Sequence, residues 1–87
     1  MDPELIAERL RSHIVERYAV PASDTDFTMD VHLFNYGYID SFGAVALVTF
    51  VEDEFHVTVS QADQIAYPMN TINEIASFVS LRLSGDL

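Results

Sequence analysis

Leu33-Phe34-Asn35-Tyr36-Gly37-Tyr38-Ile39-Asp40-Ser41-Phe42 is the stretch where this chain changes character. Before its end runs a long connection, roughly Val20 to Asp40, with Pro21, four aspartates and Gly37. After it comes a segment, Ser41 to Phe55, that is apolar on two sides. Asp is a side chain that accepts the orphan N–H groups at a helix start, so Asp40-Ser41 reads as the junction of a loop and a helix. On that helix Ala44, Leu47, Val48, Val51 and Phe55 form a core stripe. Phe42, Val45, Ala46 and Thr49 form a second stripe, ending at Glu52 and Asp53. A domain this small has one modest core, so a second apolar stripe is expected to face a partner.

The flanks are helical as well. Asp2-Pro3 pairs an N-cap with the residue best suited to the first helical position. Ile6, Leu10, Ile14 and Tyr18 then recur at helical spacing until Pro21 stops the helix near Ala19. Phe27, Val31, Leu33 and Phe34 are expected to pin the long loop to the core. Beyond Val57 and Val59, too few residues for a sheet of their own, Ser60 can cap a short helix over Gln61 to Ile65. Thr71-Ile72-Asn73-Glu74 reads as a capping box. It opens a last helix whose core stripe is Ile72, Ile75, Val79 and Leu83. The sum is one all-α domain over residues 1–87, with three longer helices, one short one and a long first loop.

Composition narrows the function. Fourteen acidic residues face four arginines and no lysine, for a net charge of −10. Nucleic acid and anionic membrane surfaces are unsuitable partners, because both are bound by clustered Lys and Arg. Two readings of the acidity stand level: it favours proteins with basic patches and speeds their encounter in a salt-dependent way, or it simply keeps a small protein soluble. There is no cysteine, hence no disulfide and no thiol nucleophile, which suits a cytoplasmic location. No signal peptide is expected from the amino terminus, and the apolar run from Phe42 to Val51 is too short to span a bilayer. A monomer is the expected state.

Three sites compete. His13, His32 and His56 fall on a helix, a loop and a helix end, and no Gly-x-Ser-x-Gly elbow surrounds a serine, so a hydrolase using Ser41 has no organised base. Asp24, Asp26 and Asp30 begin a calcium-loop spacing, but Met29 and Asn35 stand where that loop needs Gly and Glu; turn chemistry explains the aspartates, and no metal site is expected. Asp40-Ser41 alone is a helix cap. Its setting adds the positive end of a helix dipole, where a phosphodiester on Ser41 Oγ is favoured. Gly43, in the first turn, costs helix stability relative to Ala. Two readings of it stand level: close approach by another protein, or relief of crowding in the core.

At these residues the chain resembles the acyl carrier protein family. Leu33 to Phe42 is similar to the family pattern Leu-Phe-x-x-Gly-x-Ile/Leu-Asp-Ser-Leu/Met/Phe, and Glu52-Asp53-Glu54-Phe55-His56-Val57 to its Glu-Glu-Glu-Phe-Gly-Ile. The resemblance covers nearly the whole chain. It implies an acyl-carrier-like four-helix bundle that tethers cargo and is not an enzyme. Ser41 would carry a 4'-phosphopantetheine arm, placed by a phosphopantetheinyl transferase using coenzyme A and magnesium, with Asp40 positioning the serine. The arm's thiol would hold cargo as a thioester. Phe42, Val45, Thr49, Glu52 and Asp53 match the positions that meet partners: the transferase, an adenylating acyl or aminoacyl ligase, and downstream acyl-transfer or modifying enzymes. Fatty-acid carriers usually have acidic residues where Gly43 and Ala46 stand. The Leu-Phe-x-x-Gly lead-in and Gly43 are closer to D-alanyl and other aminoacyl carriers and to stand-alone carriers of specialised pathways. His56 stands where the family usually has Gly, which predicts a different turn after the second helix. Side chains around Tyr36, Phe42 and Phe50 are candidates to shape a cargo pocket, the alternative being cargo left in solvent. The rival reading is an unmodified helical interaction module with the same fold and the same apolar stripe.

Overall fold

The computed structural model describes residues 1–85; the last two positions of the expected 1–87 domain lie outside the described residues. Four helices follow one another: α1 (Pro3–Arg17), α2 (Ser41–Phe55), α3 (Gln61–Ala66) and α4 (Ile72–Ser84), with no strand among the described residues. The radius of gyration is 12.3 Å, against about 12 Å for a compact domain of this length.

Each helix start is written locally. Asp2 accepts the N–H of Glu4, with Pro3 in the first turn of α1. Ser60 and Asp63 close a capping box on α3, and Thr71 and Glu74 close one on α4. The core is centred on α1 and α4, where Ile6, Leu10, Ile14, Ile72 and Val79 have no exposed surface. α1 packs along α4, and the Ser80 hydroxyl donates to the carbonyl of Met1, so the two run antiparallel. Leu47, Val51 and Phe55 of α2 complete the core.

The long loop is tied down along its length. Phe27, Val31, Leu33 and Ile39 are buried. The Leu33 N–H donates to Asn70 O, the Asn73 N–H to Met29 O, and the Asn73 side chain to Asp30 Oδ1 at 2.7 Å. The Tyr38 hydroxyl donates to Asp24 Oδ2 at 2.9 Å, and its ring meets Phe27 edge-on. Desolvation and that carboxylate push the Tyr38 phenol up to about 12, so it stays a donor. Phe34 is only half-buried, packed against the core from outside.

Two expectations need correction. α1 ends at Arg17, two residues before Ala19, because Tyr18 leaves helical geometry and Ala19 turns left-handed at φ 54°; the stop is made before Pro21 is reached. Leu83 is 40% exposed: α1 begins beside Ser80, so a residue nearly one turn further along α4 finds nothing to pack on. Ile75, Ala76 and Phe78 fill the stripe instead. His56 ends α2 in the left-handed region, φ 54° and ψ 46°, and carries a strain that Gly would not.

Candidate functional site

Ser41 is the first residue of α2 and is exposed. Among the described residues its hydroxyl has no hydrogen-bond partner. The N–H groups of Ser41 and Phe42 lie in the first turn, where no intrahelical acceptor exists. They and the helix dipole make the surroundings of the hydroxyl favourable to an anion. Asp40 is the N-cap: its Oδ1 accepts the Gly43 N–H at 2.7 Å and its carbonyl accepts the Ala44 N–H. Asp40 thereby fixes the turn on which Ser41 sits.

The crowding at Gly43 settles why glycine stands there. A Cβ would lie 2.8 Å from Ile39 Cγ2 and 2.9 Å from Tyr18 Cε1. The Tyr18 hydroxyl donates to the Gly43 carbonyl at 2.8 Å. The glycine admits the ring of Tyr18; relief of internal crowding accounts for it without an external partner.

The second stripe of α2 is on the surface. Phe42 is 88% and Val45 70% exposed, and Ala46, Thr49 and Asp53 are exposed with them. Thr49 returns its hydroxyl to the Val45 carbonyl. Glu52 is half-buried and its Oε2 accepts the Val59 N–H at 2.9 Å, so it anchors the loop after α2 as well as bordering the stripe. Ile65 on α3, 88% exposed, is an apolar surface residue that sequence reasoning missed; a helix too short to show an apolar period gave no signal for it.

α3 buries none of its residues. Asp63 Oδ1 accepts from Arg82 Nη2 of α4 at 2.7 Å, and the Arg82 guanidinium lies 5.0 Å from the centre of the Phe78 ring. Hydrogen bonds from Ser60, backbone first, and from Arg82 outweigh desolvation and hold the Asp63 carboxyl below its usual range. Between α2 and α3 lies an apolar cleft of about 140 Å³ whose lining includes Phe34, Val48, Val59, Gln64 and Met69. The candidate pocket of Tyr36, Phe42 and Phe50 does not form. Tyr36 and Phe42 stand in solvent, and Phe50 stacks on His13 on the α1 side, 3.6 Å between ring centres.

The rival sites are dispersed. His13 lies against Phe50, His32 Nδ1 accepts the Asn35 N–H, and His56 ends α2. Asp24 accepts from Asp26 N–H and Tyr38, Asp30 from Asn73, and among the described residues no three potential ligands gather to hold a metal ion. No described helix is long and apolar enough to cross a membrane.

A family model described as "Phosphopantetheine attachment site" matches residues 8–79. No curated protein matches the chain. With that match over most of its 87 residues, the chain belongs to the acyl carrier protein family, whose domains hold a covalent 4'-phosphopantetheine and act as carriers rather than catalysts.

Proposed function

We propose that this carrier takes its arm on Ser41 and holds an acyl or aminoacyl group for delivery between enzymes. The observation that carries the reading is the exposed, unbonded Ser41 hydroxyl on the first turn of a helix capped by Asp40. The residues there fit the group. Ser41 Oγ would bond the arm's phosphorus as the pyrophosphate bond of coenzyme A breaks, releasing the serine proton and 3',5'-adenosine bisphosphate, and the first-turn N–H groups would favour the resulting phosphodiester anion. Asp40 holds the turn. The arm, when attached, supplies the thiol that this cysteine-free chain lacks and on which cargo is held as a thioester.

Partners dock on the exposed α2 stripe of Phe42, Val45 and Thr49, with Glu52 and Asp53 at its end. Between Tyr18 and Leu81 the chain carries no Lys or Arg; Arg9 and Arg82 reach Glu54 and Asp63 from outside that span, and the stripe's own charges, Glu52 and Asp53, are negative, which suits basic partners. The first partner is a phosphopantetheinyl transferase, the next an adenylating acyl or aminoacyl ligase, and then acyl-transfer or modifying enzymes. The neutral start of α2, with Gly43 and Ala46, supports an aminoacyl or specialised-pathway cargo over a fatty-acid one. The α2–α3 cleft supports a small cargo: an apolar cavity of about 150 Å³ accommodates one benzene.

The test is intact mass after incubation with coenzyme A, magnesium and a transferase. The protein gains one arm and Ser41→Ala gains none. No gain with several transferases, or a gain that survives Ser41→Ala, overturns the proposal.

A further inference from the structure

We propose that Tyr18 is a positioning residue for the modification of Ser41, holding the first turn of α2 from the end of α1. The proposal rests on the reading that Ser41 takes the arm. Gly43, two residues after Ser41, is gripped at both ends: its N–H by Asp40 Oδ1 at 2.7 Å and its carbonyl by the Tyr18 hydroxyl at 2.8 Å. The first grip is local to the helix start. The second comes from a residue 25 positions away, the cap at the end of α1, and so fixes the turn relative to the body of the molecule.

Tyr18 is itself fixed. Its N–H donates to Ile14 O as the cap of α1. The Arg17 guanidinium lies 5.6 Å from the centre of its ring, and the His13 ring meets it edge-on. The absent side chain of Gly43 lets the ring in, since a Cβ would be 2.9 Å from Tyr18 Cε1. Burial, then the nearby Asp40 carboxylate, raise the phenol above its ordinary value against the pull of Arg17, so it remains a donor across the working pH range. A transferase must bring Ser41 Oγ into line with phosphorus, and a nucleophile on a loose turn loses rate through misplacement rather than through weaker docking.

The experiment compares steady-state transfer from coenzyme A to the full chain and to Tyr18→Phe, which keeps the ring and removes the hydroxyl. We expect kcat to fall about three- to tenfold with KM for the carrier unchanged, because Phe42 and Val45 still dock. A purely structural role gives another split: a partly unfolded carrier acts as a diluted one, raising KM and sparing kcat. Gly43→Ala crowds Ile39 Cγ2 and Asp40 Oδ1 as well as the Tyr18 ring, so its kcat loss should be at least as large as that of Tyr18→Phe. A wild-type kcat in Tyr18→Phe, whether or not KM rises, overturns the positioning role alone. A wild-type chain that accepts no arm overturns the reading of Ser41 and this role with it.

Discussion

The α1–α4 layer and the α2–α3 side of this molecule are built from similar apolar residues put to opposite uses. In the first, Ile6, Leu10, Ile14, Ile72 and Val79 are withdrawn from water entirely. In the second, Phe42, Val45 and Ile65 stand almost bare, and α3 has no buried residue of its own. Isolated exposed hydrophobics need no explanation, but a stripe along one helix does. Stability is concentrated where α1 meets α4; on the proposed reading, recognition falls to the side that gains least from folding. α2 belongs to both: Leu47, Val51 and Phe55 face inward while Phe42 and Val45 face out.

Substitutions on the two sides should therefore break different properties. Leu10→Ala, in the buried layer, should cost about 2–5 kcal/mol and lower the melting temperature by roughly 10–30 °C, while the folded fraction still accepts the arm at the wild-type rate. Thermal denaturation and intact mass on one sample check both halves. Phe42→Ala should do the reverse. Its melting curve stays within about 0.5 kcal/mol of wild type, while KM for the transferase rises about tenfold, as for an exposed anchor in an interface. A Phe42→Ala protein that melts early and docks normally would erase the contrast between the two sides.

The smallest effect sharpens the contrast at its seam, where His13 of α1 stacks on Phe50 of α2. Burial, and then Arg17, lower the His13 pKa from 6.5, with Glu16 and Glu54 opposing; Arg9 and Glu54 also face this groove as an ion pair at 3.3 Å. The folded state thus binds the His13 proton less readily than the unfolded chain. The contribution is complete above pH 6.5 and is lost as pH falls through the lower folded value. The stability lost between pH 7.5 and 5.5 should accordingly be smaller in His13→Phe than in wild type, by chemical denaturation at the two pH values.

How much of this was legible in the sequence follows from the range of each interaction. The caps at Asp2, Asp40, Ser60 and Thr71 bond within three residues of themselves, so local pattern sufficed to start all four helices. The exposed α2 stripe was legible because fifteen residues give a clear helical period. What failed depended on distant partners. Leu83 is outside the core because of where α1 begins. Phe50 leaves the candidate pocket because His13 is across the groove. Gly43 is explained by Tyr18, which no spacing rule brings near it. The end of α1 was misplaced because Ala19, an L-residue in the left-handed region, carries no glycine-like signal.

The central claim is that one hydroxyl, at the seam between the long loop and α2, receives the arm. Fragmentation mass spectrometry of the modified chain tests it most directly, by locating the added phosphopantetheine on a single residue. This account predicts that every modified molecule carries it on Ser41; an arm on any other serine or threonine would contradict it.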